Sequence, residues 1–202
     1  MPIVEQQVRS LREQIVDTLR SEVLCGVWSN EVPVREQALA ERFGVSRGPI
    51  RDALLQLSRE GVLVYRPNKG VRINTPPVES ERQMLQTMRR EMETYCLKRC
   101  LDQLNEADDE QLEGILAELT HACEREDIRA IADCDLALHR LLVRRASGEL
   151  EVIWQSITSR LLMDYSRIDR FDEIIAEHKA IVSAIKQRDF EAAQKALQEN
   201  II

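Results

Sequence analysis

Residues 39–54 read Leu39-Ala40-Glu41-Arg42-Phe43-Gly44-Val45-Ser46-Arg47-Gly48-Pro49-Ile50-Arg51-Asp52-Ala53-Leu54. The stretch is two helical runs joined by a three-residue turn. The first run, Gln37 to Phe43, stops at Gly44, a residue suited to the left-handed backbone that ends helices. Gly44-Val45-Ser46 makes the turn, and Ser46 is placed to cap the second run. Pro49 falls in the first turn of that second helix, where a missing N–H costs little. Ile50, Ala53, Leu54 and Leu57 then form its apolar stripe, and Gly61 ends it.

The neighbours on both sides extend this pattern. Upstream, Val8, Leu11, Ile15, Leu19 and Val23 stand at helical spacing over residues 8–25 and end at Gly26. A short irregular stretch with Pro33 follows. Downstream the period changes: Val62-Leu63-Val64-Tyr65 and Val71-Arg72-Ile73 are short β-type runs around Arg66-Pro67-Asn68-Lys69-Gly70, which reads as a hairpin. Helix, helix, turn, helix, hairpin is the order of a winged helix-turn-helix. In that arrangement the front of the last helix faces base edges and phosphates. Arg47 and Arg51, four apart, share one face there, and Arg is the side chain that grips guanine with two prongs. Ser46, Gly48 and the free amides of the first turn suit a phosphate. At the hairpin tip, Arg66, Lys69 and Gly70 let a cation and a small residue approach the minor groove or backbone.

Charge divides the chain in the same place. Of 202 residues, 44% are hydrophobic and 31% charged, with a net charge of −7. Residues 1–78 carry 11 basic and 9 acidic side chains, the remainder 17 and 26. An acidic second part repels a phosphate backbone, so nucleic-acid contact belongs to the first part. After Asn74-Thr75-Pro76-Pro77 there is no further Pro and only two Gly. Helical periodicity runs in blocks near 79–104, 107–125, 127–146, 149–168, 171–187 and 189–202, with Asp108 and Asp127 as expected caps. This is a mainly α protein: residues 1–74 a winged helix-turn-helix, 75–79 a linker, and 80–202 an antiparallel helical bundle of six to seven helices. Cys25, Cys96, Cys100, Cys123 and Cys134 are odd in number and scattered over helices, which implies reduced, buried thiols rather than a disulfide framework. Cys96 and Cys100 share a helical face but lack a neighbouring His, and read as core. No apolar run approaches the roughly 18 residues of a membrane span, and no leader pattern opens the chain, so a cytoplasmic protein is expected.

At residues 39–54, with Leu57 and Glu60-Gly61-Val62-Leu63, the sequence closely resembles the GntR family of bacterial transcription regulators. The resemblance implies that Arg47 and Arg51 contact an operator and that Lys69-Gly70 form the wing tip. Family members often carry another DNA-contacting Arg where Gln37 stands here, with Arg35 two residues earlier; the usual Pro-Gly before this helix is replaced by Ser29-Asn30.

In the second part, Asp135 and His139 are four apart on one helical face, and His178 follows on another helix. A carboxylate and two imidazoles meeting inside a bundle can hold a divalent metal, although such histidines also occur as satisfied core residues. Residues 80–202 resemble the FCD ligand-binding domain of the FadR subfamily. The matching pieces are Asp135-Leu136-Ala137-Leu138-His139, Ala146-Ser147-Gly148, Glu177-His178-Lys179-Ala180-Ile181 and Asp189-Phe190-Glu191-Ala192-Ala193. Many such domains bind a metal through one Asp and three His. Asp135, His139 and His178 fall on the first three places, and Asn200 stands where the fourth His is expected. The implied divalent metal is Zn, Ni or Mn. Because Asn ligates through its carbonyl oxygen and binds Zn²⁺ or Ni²⁺ more weakly than imidazole does, the centre holds a harder metal such as Mn²⁺ or Mg²⁺, holds metal weakly, or takes an organic effector alone. Arg89, in an Arg-x-x-x-Glu pattern with Glu93, is the candidate anchor for a small carboxylate effector. His121 matches nothing and reads as a surface residue.

The reading is a cytoplasmic, ligand-responsive regulator, a repressor in the commoner family case, binding a pseudo-palindromic operator as a homodimer, with no membrane and no catalytic residues. The alternatives are a helical-bundle metalloenzyme using Asp135, His139 and His178, and a helical dimerisation protein with a vestigial site.

Overall fold

The computed structural model describes residues 10–28, 33–67, 69–163 and 170–201. The chain separates into two compact units, Met1–Asn74 and Thr75–Ile202.

In the first unit, α1 (Leu11–Leu24) begins at a capping box: Glu13 donates its backbone N–H to the Ser10 hydroxyl, and its carboxylate accepts from the Ser10 amide. The part of the expected helix before Ser10, with Val8, lies outside the described residues, as do Ser29 and Asn30. α2 (Glu36–Phe43) ends at Gly44 with φ +65°, a conformation that costs any residue with a Cβ about 1 kcal/mol or more. α3 (Arg47–Arg59) follows, with Ser46 in the cap position but making no side-chain capping bond. The expected cap is therefore a matter of position only, and the first-turn amides of α3 are not met by that hydroxyl. β1 (Leu63–Arg66) and β2 (Gly70–Ile73) pair antiparallel, Leu63 opposite Ile73 and Arg66 opposite Gly70. Val62 precedes the strand; its carbonyl accepts from Asn74, whose side chain also donates to Gly61. The core is Ile15, Val16, Leu19, Leu24, Ile50, Ala53, Leu54, Leu57, Val62 and Leu63, all buried. Each such large side chain contributes on the order of 1.5–3 kcal/mol through lost water contact. A buried ion pair crosses this core: Arg20 of α1 donates Nε and Nη2 to the two oxygens of Glu60 at 2.9 and 2.8 Å. It fixes α1 against the end of α3.

In the second unit six helices are described: α4 (Glu79–Cys100), α5 (Glu106–Glu124), α6 (Ile128–Ala146), α7 (Gly148–Leu161), α8 (Phe171–Lys186) and α9 (Phe190–Asn200). Glu79, assigned to the linker by pattern, is the first residue of α4. Asp127, Ser147 and Asp189 cap α6, α7 and α9 through their side chains. Asp108 does not cap α5. Asn105 does, accepting from Ala107 and Asp108, while Asp108 accepts from the Asn105 amide. The helix begins earlier than the apolar spacing suggests because Asp108 sits at the reciprocal position of a capping box. α6 lies between α4, α5 and α7, and α8 packs on α5 and α9. Leu97, Leu112, Leu138, Leu142, Ile181, Ile185 and Leu197 fill the interior. Inside the bundle, Arg89 and Glu93 of α4, Asp135 and His139 of α6 and His178 of α8 bring buried guanidinium, carboxylate and imidazole groups into the apolar interior.

Candidate functional site

Two constellations stand out, one in each unit. On the first, Arg47 and Arg51 project from the opening turns of α3 with side chains 62% and 66% exposed. Both reach one carboxylate. Glu36, the first residue of α2, accepts from Arg47 Nη2 at 3.0 Å and from Arg51 Nε and Nη2 at 3.4 and 3.3 Å. Those bonds, Arg51's first, hold the Glu36 carboxyl below its usual range. Ser46 and Gly48 are exposed beside them. At the hairpin Arg66, Lys69 and Gly70 are also exposed; Lys69 donates its amide to the Arg66 carbonyl, and Gly70 has φ +72°. Arg35 is exposed just before α2, and Gln37 bonds to Glu41. All seven expected contact residues therefore face solvent. Sequence reasoning missed Glu36, because its partners lie 11 and 15 residues away and only the turn brings the fronts of the two helices together.

The second constellation is buried. Asp135 and His139 extend from α6, His178 from α8, and Asn200 closes α9. One ligand atom from each of Asp135, His139 and His178 lies within 4.8 Å of the others. His178 Nε2 stands 3.1 Å and His139 Nε2 3.8 Å from Asp135 Oδ1, and His139 Nε2 is 2.9 Å from Asn200 Oδ1. The opposite nitrogen of each ring is also engaged. His139 Nδ1 meets Glu93 Oε2 at 2.6 Å, and His178 Nδ1 meets the Ile174 carbonyl at 2.8 Å. Glu93 in turn accepts from Arg89 Nε at 2.7 Å and Trp154 Nε1 at 2.6 Å. The guanidinium of Arg89 lies over the Trp154 ring.

The chemistry of this arrangement follows from counting donors. A neutral imidazole has one N–H, and in both rings Nδ1 has an outer acceptor, Glu93 or the Ile174 carbonyl, that can take it. With the N–H at Nδ1, each Nε2 lone pair faces an oxygen, an arrangement that suits an added proton or a metal cation between them. The donor set fits a divalent ion, with two imidazoles, one carboxylate and one amide oxygen available. The electrostatics agree. Burial raises the Glu93 carboxyl, but His139 and Arg89 outweigh it and hold it at about 2. Asp135 is likewise raised by burial and driven below its usual range by His178 and His139. Burial lowers His178, and the Asp135 carboxylate reverses that and raises it. Arg89 is buried against Glu93 rather than solvated. His121 is exposed near Glu124. Cys96 and Cys100 are buried, and loss of water pushes both thiols up to about 11, unsuited to thiolate ligation. Cys123 and Cys134 are buried as expected; Cys25 is only half-buried.

Residues 84–201 match the FCD domain and residues 11–73 the bacterial regulatory proteins of the gntR family. The chain belongs to the FCD-bearing GntR regulators. The HTH-type transcriptional repressor RspR of Escherichia coli K12 is 26% identical over 198 residues, covering 95% of this chain and 86% of that protein. The gluconate operon transcriptional repressor of Bacillus licheniformis is 26% identical over 196 residues, covering 90% and 78%. Among solved structures, E. coli McbR/YncC superposes with a TM-score of 0.80 at 22% identity, covering 96% of this chain and 94% of that one. This GntR-family chain is a DNA-binding transcription regulator, and its relatives are regulators rather than enzymes, so the metalloenzyme alternative falls away. No helix among the described residues is long and apolar enough to cross a membrane.

Proposed function

We propose that this regulator is a cytoplasmic repressor that binds a pseudo-palindromic operator as a homodimer and answers to a small carboxylate, a divalent metal, or both. The observation that carries the reading is the exposure of Arg47 and Arg51, together, at the front of α3. Each arginine suits a guanine edge. Ser46 and the amide of Gly48 suit a phosphate, and Arg66, Lys69 and Gly70 suit the flanking groove or backbone. One such module per chain rarely supplies specific affinity, which favours two copies. Exposed Met84, Met88 and Tyr95 on α4, with Val152 and Ile153 on the adjoining α7, offer an apolar face for that pairing.

In the bundle, Asp135, His139, His178 and Asn200 would hold Zn, Ni or Mn, and Arg89 with the ion would draw a carboxylate. A bound ion there would supply positive charge and open coordination positions for the effector. The chain's own residues set the rest: Glu93 and the Ile174 carbonyl orient the rings, and Trp154 and Arg89 hold Glu93. Effector binding alters operator affinity only through different affinities for two arrangements of the protein.

Binding is tested with an operator selected from genomic fragments by the wild-type protein. Arg47→Ala should weaken it by about 1–3 kcal/mol at fixed salt. An unchanged mobility-shift titration removes Arg47 from the interface.

A further inference from the structure

An amide side chain offers a donor at one end and an acceptor at the other, and which end faces a site decides whether it can ligate a cation. At Asn200 a second residue makes that choice. Asn200 Nδ2 donates to Glu177 Oε2 at 2.9 Å, and Asn200 Oδ1 faces His139 Nε2 at 2.9 Å. Reversing the amide would set its oxygen against the acceptor-only Glu177 carboxylate, a repulsive contact in place of a charge-assisted bond.

We propose that Glu177 is a positioning residue that turns the Asn200 oxygen into the centre, so that the centre is an N₂O₂ donor set shifted towards Mn²⁺-type ions relative to a histidine-rich one. The inference rests on the metal reading above. Glu177 and His178 are neighbours on α8. One supplies a ligand and the other orients the ligand arriving from α9. His139 and His178 are oriented in the same way, by Glu93 and by the Ile174 carbonyl, so each of these three groups has an acceptor behind it. Outer partners of this kind commonly govern affinity by 10–100-fold. Absolute affinity still rises from Mn²⁺ to Zn²⁺ for a given site, so the signature is the ratio of the two affinities. Replacing a carbonyl oxygen with imidazole favours Zn²⁺ far more than Mn²⁺, which keeps its preference for oxygen.

The test uses the full chain stripped of metal, titrated with MnCl₂ and ZnCl₂ by calorimetry, with Mn²⁺ binding also followed by its electron paramagnetic resonance signal. Asn200→His should raise the Zn²⁺-over-Mn²⁺ affinity ratio by about tenfold or more. Glu177→Gln, whose amide can face Asn200 with either end, should weaken Mn²⁺ binding by about tenfold, while the metal-free melting temperature stays near wild type. Glu177→Asp, which keeps the acceptor, should recover part of the loss. If wild type binds Mn²⁺ and Zn²⁺ but Glu177→Gln leaves Mn²⁺ affinity unchanged, the role of Glu177 is overturned and the metal reading survives, whatever Asn200→His does to the ratio. If wild type binds neither ion, both fall.

Discussion

Replacing Glu36 with glutamine should tighten binding of duplex DNA by about two- to fivefold. Glu36 is the carboxylate over which Arg47 and Arg51 converge, at 3.0 Å from one and 3.3–3.4 Å from the other. Neither guanidinium can present both its donor edges to a guanine or a phosphate while engaged there. Both arginines are largely exposed, so the interaction is a surface ion pair worth a few tenths to about 1 kcal/mol, far short of a buried one. Surrendering that on binding amounts to about 0.4–1 kcal/mol, the two- to fivefold stated, at roughly 1.4 kcal/mol per factor of ten. Glutamine keeps the shape and can still accept a hydrogen bond, but it removes the negative charge, so repulsion of the phosphate backbone falls as well. A labelled random-sequence duplex titrated by fluorescence anisotropy, at low and at near-physiological salt, reads the effect without knowledge of the operator. The gain should shrink as salt rises, because exposed charges are screened within about 8 Å at physiological ionic strength. It should shrink to the backbone-repulsion share when Arg47 and Arg51 are both alanine. Equal or weaker binding by Glu36→Gln at both salts, with its melting temperature unchanged, would refute the competition argument and mean instead that Glu36 only holds the arginines ready.

Two further predictions concern stability. Glu60→Gln should destabilise the winged unit by about 3 kcal/mol or somewhat less, because it strips a buried charge partner from Arg20 while Asp17 remains as partial compensation. The double change Arg20→Met with Glu60→Leu should recover most of that in urea melts, and a double variant as weak as the single one would show that the pair itself, rather than the stranded charge, stabilises the fold. In the metal-free protein, Glu93 carries a carboxyl held at about 2 against an ordinary 4.5. Its contribution is therefore complete above pH near 4.5 and is lost as pH falls towards 2, on the order of 3 kcal/mol. Denaturant melts across that range should show wild type losing more stability than Glu93→Gln, and parallel curves would contradict the assignment.

Short-range patterns carried much of the fold. The stop at Gly44, Pro49 in the first turn of α3, and the hairpin around Arg66 to Gly70 depend on backbone preferences of a few neighbouring residues. Where expectation missed, the error was also local: Ser46 takes the cap position without the capping bond, and Asn105 rather than Asp108 caps α5. The Asp135–His139 pair was visible because a separation of four places two side chains on one helical face. The groups that orient the centre were not visible as such. Glu93 reaches His139 across 46 residues, Trp154 reaches Glu93 across 61, and Asn200 reaches His139 across 61.

The amino-acid order alone therefore determined which segments are helices, which half carries the cationic front, and that Asp135 and His139 share a helical face. Packing decided the rest: that Glu36 bridges two arginines, that Glu93 and Glu177 stand behind the groups lining the centre, and that Arg89 is buried on a carboxylate rather than in water. The division is physical. Helix periodicity and caps arise from interactions within about four residues along the chain, whereas the direction of a buried lone pair is set by whichever distant acceptor the fold places behind it.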